Sequence, residues 1–121
     1  MTVGVERARV LVVDDDRLQR ALVRDLLAQR ADVELCADAD AAQRALRAGP
    51  VDLVLSDLLM PGRSGLELLQ CVLRDHPGTD FVLITANATV ASAVEALRMG
   101  ATDYLEKPLR SASASLPYPV V

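Results

Sequence analysis

The sequence predicts an α/β fold built on a five-stranded, doubly wound parallel sheet. Three observations predict it. Short apolar runs recur along the chain; each is followed by a segment whose apolar residues return at helical spacing; and glycine, proline and acidic turn residues punctuate the joins. Strict alternation of strand and helix with right-handed crossovers leaves a parallel sheet covered on both faces.

Taken in order, residues 1–8 form a leader and strand one spans about Arg9–Val13. Leu18, Leu22 and Leu26, joined by Ala21 and Val23, make Arg17–Gln29 an amphipathic helix, with Asp16 as its cap. Val33, Leu35 and Ala37 alternate with polar residues as a half-covered edge strand does. Asp40 caps a helix through Ala48, which Gly49-Pro50 stops. Val51–Ser56 is the most continuously apolar run and belongs in the middle of the sheet. Ser64 caps a helix from Gly65 to Asp75, ended by His76-Pro77-Gly78. Strand four is Phe81–Thr85. Thr89 caps the next helix, whose Val90, Ala93, Val94 and Leu97 share a face and which Gly100 closes; strand five is Thr102–Glu106. After Arg110 the pattern breaks. Residues 111–121 carry Pro117 and Pro119 and no helical stripe, and read as an irregular tail or linker remnant beyond a domain of residues 9–110.

The 121 residues suit one domain, and a 51% hydrophobic fraction with only 2% aromatic residues makes the core one of Leu, Val and Ala. A formal charge of -4 argues against direct nucleic-acid contact by this chain. Cys36 and Cys71 lack metal-like spacing and are expected to be reduced core residues. No apolar stretch reaches the roughly 20 residues that span a bilayer, and Glu6, Arg7 and Arg9 interrupt any signal-peptide apolar region, so a cytoplasmic location without membrane contact is expected.

Parallel sheets place their sites at the carboxyl ends of the strands. Asp14 and Asp15 end strand one, Asp57 ends strand three, Thr85 strand four and Lys107 strand five. Three carboxylates in one pocket repel unless a cation compensates them, and oxygen-only ligands favour Mg²⁺. A hydroxyl and an ammonium beside them add room and charge for a phosphoryl group. Asp14-Asp15-Asp16 could instead serve only turn and cap chemistry, but one aspartate suffices for a cap. Lys107 alone could be merely solvated; Pro108 after it fixes the backbone and helps aim the side chain. Tyr104 could be core only, although a tyrosine hydroxyl usually seeks a polar partner.

Leu-Val-Val-Asp-Asp-Asp at 11–16, Ser-Asp-Leu-Leu-Met-Pro-Gly-Arg-Ser-Gly at 56–65, Thr-Ala at 85–86 and Gly-Ala-Thr-Asp-Tyr-Leu-Glu-Lys-Pro at 100–108 together resemble the receiver domain of two-component response regulators. The resemblance covers about residues 8–110. The wording of Ala93-Val94-Glu95-Ala96 and of residues 103–108 is most similar to receivers of the nitrogen-regulation type. It implies a flavodoxin-like strand order 2-1-3-4-5. It implies that Asp57 is the phosphoacceptor, taking its phosphoryl group from a sensor histidine kinase. Asp15, the Asp57 carboxylate and the Leu59 carbonyl would ligate Mg²⁺, and Asp14 would hold it mainly through water. Lys107 would pair with the phosphoryl group, Thr85 would hydrogen-bond to it, and Thr85 and Tyr104 would move together as a switch acting on an output domain or downstream protein. Such a chain is a signalling module more than an enzyme, catalysing only its own phosphotransfer and dephosphorylation.

Two departures stand out. Leu109 occupies a place where receivers usually carry an aromatic residue, and the fifth helix is missing from the pattern. Its loss should uncover apolar surface beside Leu18, Leu22 and the central strands. Either Leu116, Tyr118, Val120 and Val121 fold back over it or a second copy does, and a homodimer is the expectation. Three competitors remain. A haloacid dehalogenase-type phosphatase wants a second aspartate where Leu59 stands, a flavodoxin wants a Ser/Thr-rich loop where Asp14-Asp15-Asp16 stands, and a receiver-shaped interaction module keeps the fold without the chemistry.

Overall fold

The structure, a computed structural model, describes residues 7–60, 62–86 and 89–107. Most of the leader, Pro61, Asn87, Pro108, Leu109 and the tail at 111–121, and with them the question of the fifth helix, lie outside the described residues. Five strands, β1 (Ala8–Val13), β2 (Ala31–Cys36), β3 (Leu53–Asp57), β4 (Asp80–Thr85) and β5 (Asp103–Glu106), alternate with four helices, α1 (Arg17–Leu27), α2 (Ala39–Ala48), α3 (Gly65–Asp75) and α4 (Val90–Met99). All strand pairs are parallel, in the order β2-β1-β3-β4-β5. This is the flavodoxin-like order that the resemblance implies. Among the described residues, no helix is long and apolar enough to cross a membrane.

Helix starts follow from cap chemistry. The Asp16 carboxylate accepts from the Leu18 and Gln19 amides, and the Ser64 hydroxyl from the Glu67 amide, each satisfying donors that a first turn leaves orphaned. The cap of α2 is Asp38, not Asp40: Asp38 takes the extended cap conformation and accepts from the Ala41 amide. Asp40 sits within the first turn, paired with Arg63. Gly100 closes α4 with φ +115°, a conformation only glycine adopts cheaply, while its amide reaches the carbonyls of Ala96 and Leu97.

Two apolar layers flank the sheet. On one face Leu11, Val13, Val54, Phe81 and Leu83 meet Ala42 and Leu46 of α2, Leu68, Leu69 and Val72 of α3, and Ala96 of α4. On the other, Val10, Val12, Leu53, Leu55, Val82 and Ile84 form one cluster with Val23 and Leu27 of α1. Leu55, Val82 and Ile84 of the central strands are all buried. Among the described residues, the large apolar side chains exposed on this side are those of Leu18 and Leu22 on α1, at 65% and 49%. The helix buries Val23 and Leu27, so its inward stripe runs along a different line of its apolar face.

Helix α4 shows the same rotation. Val94 and Leu97 are exposed, contrary to the expected shared inward face, and Ala96 is fully buried with Met99 packed against the core. Ser92, Ala96 and Met99 stand at i, i+4 and i+7 and form the inward line. A small alanine there lets the helix approach the sheet, which a leucine-first search for periodicity overlooks. Cys36 is buried, with burial pushing its thiol up to about 11, and neither it nor the half-buried Cys71 is in a disulfide.

Candidate functional site

The carboxyl ends of β1, β3, β4 and β5 bring the predicted residues together. Asp14 follows β1 and is held by its surroundings on every side. Its amide donates to the Cys36 carbonyl, its Oδ1 accepts the Asp16 amide at 2.9 Å, and Arg20 Nη1 donates to its carbonyl at 2.7 Å. It is 4% exposed, whereas Asp15 is exposed. Asp57 ends β3, half-buried, with the Leu59 amide 3.4 Å from its Oδ1.

Lys107 lies 93 residues from Asp14 in the chain and 50 from Asp57, yet its ammonium bridges them, with Nζ 2.6 Å from Asp14 Oδ2 and 3.2 Å from Asp57 Oδ2. The Lys107 amide donates to the Thr85 carbonyl at 2.9 Å, so β4 supports the residue that carries the ammonium. Burial pulls the ammonium pKa down, but the hydrogen bond and charge of Asp14, then of Asp57, outweigh it and the pKa rises. The Asp57 pKa is also raised. Burial is the larger cause and the negative charge of Asp14 adds to it, against the opposing pull of Lys107. The two directions agree physically, because Lys107 sits closer to Asp14 and shares its charge, leaving Asp57 undercompensated.

One oxygen from each of Asp14, Asp15 and Asp57 lies within 4.8 Å of the others. A hard divalent cation bonds oxygen at about 2.0–2.6 Å, so small side-chain movements would let one ion reach all three. Three carboxylates against one ammonium leave the cluster negative. The donor set therefore fits Mg²⁺ or a similar oxygen-seeking cation, with phosphate oxygens completing its shell.

Thr85, 2% exposed, ends β4. In the register of β4 and β5, Leu83 pairs with Tyr104 and Thr85 with Glu106. Tyr104 packs on the same cluster as Leu83, so Thr85, two residues on, shares that face one diagonal step away. The Tyr104 hydroxyl is 2.8 Å from Ser92 Oγ on α4.

Sequence reasoning passed over two residues that build this geometry. A Cβ at Gly65 would stand 2.2 Å from the Asp57 carbonyl oxygen and 2.8 Å from Leu83 Cδ2, so only glycine lets α3 start this close to the end of β3. Its amide donates to the Leu58 carbonyl at 2.8 Å. A glycine placed after a competent serine cap was the available signal. Arg63 ties the same loop to α2 through Asp40 and through Gln43 at 2.7 Å. Nothing in its local pattern singled it out.

The chain is similar to known proteins in sequence and in fold. The response regulator receiver domain model matches residues 10–114. Response regulator protein PilR of Pseudomonas aeruginosa is 35% identical over 106 residues, which cover 87% of this chain and 24% of PilR. The chain thus spans about a quarter of that relative's length. A response regulator of Burkholderia pseudomallei, solved with a phosphorylated aspartic acid, calcium ion and citrate, superposes with TM-score 0.81 at 28% identity over 88% of this chain and 64% of that one. The beryllofluoride-activated NtrC4 receiver domain dimer superposes with TM-score 0.80 at 25% identity, over 84% and 85% of the two chains.

Proposed function

Because the chain belongs to the response regulator receiver domain family, we propose that it accepts a phosphoryl group on Asp57 from a phosphohistidine of a sensor kinase and passes the change to an output domain or partner. The observation that carries this reading is the Lys107 ammonium bridging Asp14 and Asp57, with Asp15 inside the same cluster. An Asp57 carboxylate oxygen forms the new bond to phosphorus as the bond from phosphorus to the imidazole nitrogen breaks, and the imidazole leaves with the electron pair. Magnesium, held by Asp15, Asp57 and the Leu59 carbonyl with Asp14 behind them, would neutralise charge on the transferring group. Lys107, now paired with both carboxylates, would exchange its contact with Asp57 for one to a phosphoryl oxygen while keeping Asp14. The Thr85 hydroxyl, on the face shared with Tyr104, would hydrogen-bond another and so report the modification to β5 and α4. The Burkholderia regulator, solved with a phosphorylated aspartic acid and a calcium ion, supports the assignment by analogy.

The test is incubation with Mg²⁺ and acetyl phosphate, read by intact mass. One phosphoryl adduct is expected on the wild-type chain and none on Asp57→Asn or in excess chelator. An unmodified wild-type chain, or an adduct that survives Asp57→Asn, overturns the reading.

Self-association belongs to the same proposal. The exposed Leu18 and Leu22 on α1 and the dimeric NtrC4 neighbour support a homodimer. A concentration-dependent rise in sedimentation coefficient across the micromolar range is expected, and Leu18→Glu/Leu22→Glu should abolish it.

A further inference from the structure

Ser92 stands on the inward line of α4, where a helix packed against a sheet ordinarily carries an apolar residue. Its hydroxyl is surrounded by four polar atoms. The Thr89 carbonyl is at 3.1 Å, the Thr89 amide at 3.3 Å, and both Thr89 Oγ1 and the Tyr104 hydroxyl are at 2.8 Å. A serine hydroxyl has one proton and two lone pairs. The carbonyl takes the proton and the amide fills one lone pair, so the two neighbouring hydroxyls compete for the other. Thr89 Oγ1 already accepts the Ser92 amide at 3.1 Å, and its own proton is free to rotate toward Ser92. When Tyr104 leaves, the Thr89 hydroxyl can take its place, and neither Ser92 nor the cap of α4 is left unsatisfied. The contact is thus releasable without melting the helix start.

We propose that Ser92 is a positioning residue for the switch: its hydroxyl holds Tyr104 against α4 while Asp57 is a free carboxylate paired with Lys107, and it sets how readily the phosphorylated arrangement forms. The proposal rests on the phosphoacceptor reading of Asp57. A phosphoryl group there draws the Thr85 hydroxyl toward it, opening space on the face that Thr85 shares with Tyr104, and Tyr104 gives up Ser92 to fill it. Weakening the Ser92 contact therefore favours the phosphorylated form.

Beryllofluoride with Mg²⁺ serves as the phosphoryl mimic, titrated into the full chain while the tyrosine ring signals are followed by NMR. Tyr104 and Tyr118 are the two tyrosines, and Tyr104→Phe assigns them. Ser92→Ala should tighten beryllofluoride binding by roughly two- to tenfold, the worth of one net hydrogen bond, and shift the Tyr104 signal before addition. Ser92→Thr, which keeps the hydroxyl, should restore the wild-type affinity. In a Tyr104→Phe background, Ser92→Ala should change affinity no further. Thr89→Ala weakens the cap but leaves the Ser92–Tyr104 contact, and should lower thermal stability without tightening binding. Unchanged or weaker binding in Ser92→Ala, effects that add in the double variant, or a Thr89→Ala chain that tightens equally each overturn the proposal while leaving the phosphoacceptor reading intact. A wild-type chain that takes up neither beryllofluoride nor acetyl phosphate overturns both.

Discussion

The two ends of the sheet handle charge in opposite ways. At the amino end Arg9 spreads its guanidinium over the carbonyls of Ala45, Gly49 and Pro50 and the carboxylate of Glu34, and its amide meets Asp52 at 2.7 Å. Arg7 reaches the carbonyls of Ala28 and Ala31. Each cation there finishes the hydrogen bonding of a helix or strand end. At the carboxyl end three carboxylates converge on one another with a single ammonium among them. The first arrangement holds the chain together. The second leaves an excess of negative charge that a divalent cation would relieve.

The comparison breaks most decisively at Asp15. Asp15→Ala should abolish acetyl phosphate-driven modification, read by intact mass, while the thermal midpoint stays level or rises as carboxylate repulsion falls. Modification at the normal rate would remove the metal role from the acidic cluster. Next in size is Gly65→Ala, which forces a Cβ into the Asp57 carbonyl. It should cost about 1–3 kcal/mol in denaturant unfolding and also slow modification of Asp57. Gly78→Ala, with open space at its Cβ, should leave the rate of modification unchanged. Arg9→Ala probes the other end. A loss of about 1–2 kcal/mol is expected, with the modification rate of the folded chain unchanged; a parallel loss of rate would deny that the two ends are separable. The smallest effect is at Leu59, 61% exposed beside Asp57 and unable to hydrogen-bond an attacking water. Leu59→Asn should speed loss of the phosphoryl group by roughly two- to fivefold, the scale of one modest hydrogen bond, measured as decay of the modified mass after acetyl phosphate is removed.

Much of this was legible in the chain. Strand runs, helix α3 to the residue, and the caps Asp16, Ser64 and Thr89 follow from local rules, because a strand's apolar content and a cap's oxygen act within a few residues. The identities of Asp14, Asp15, Asp57, Thr85 and Lys107 as strand-end residues followed in the same way. The misses share a cause. Asp38 rather than Asp40 caps α2, and α4 buries Ala96 rather than Val94 and Leu97, its more conspicuous apolar residues. Periodicity shows that an apolar face exists, but neighbouring layers choose which line of it turns inward.

By itself the sequence determined the alternation of elements and the chemical types at each strand end, since both depend on residues close together in the chain. Only the tertiary structure decided that Lys107 divides its charge between Asp14 and Asp57, that Gly65 must lack a side chain, and that Ser92 meets Tyr104. Each of these joins residues from different elements, at separations set by sheet register and by how closely helices seat on the sheet. Distances of this kind arise from packing the whole core, and no local pattern carries them.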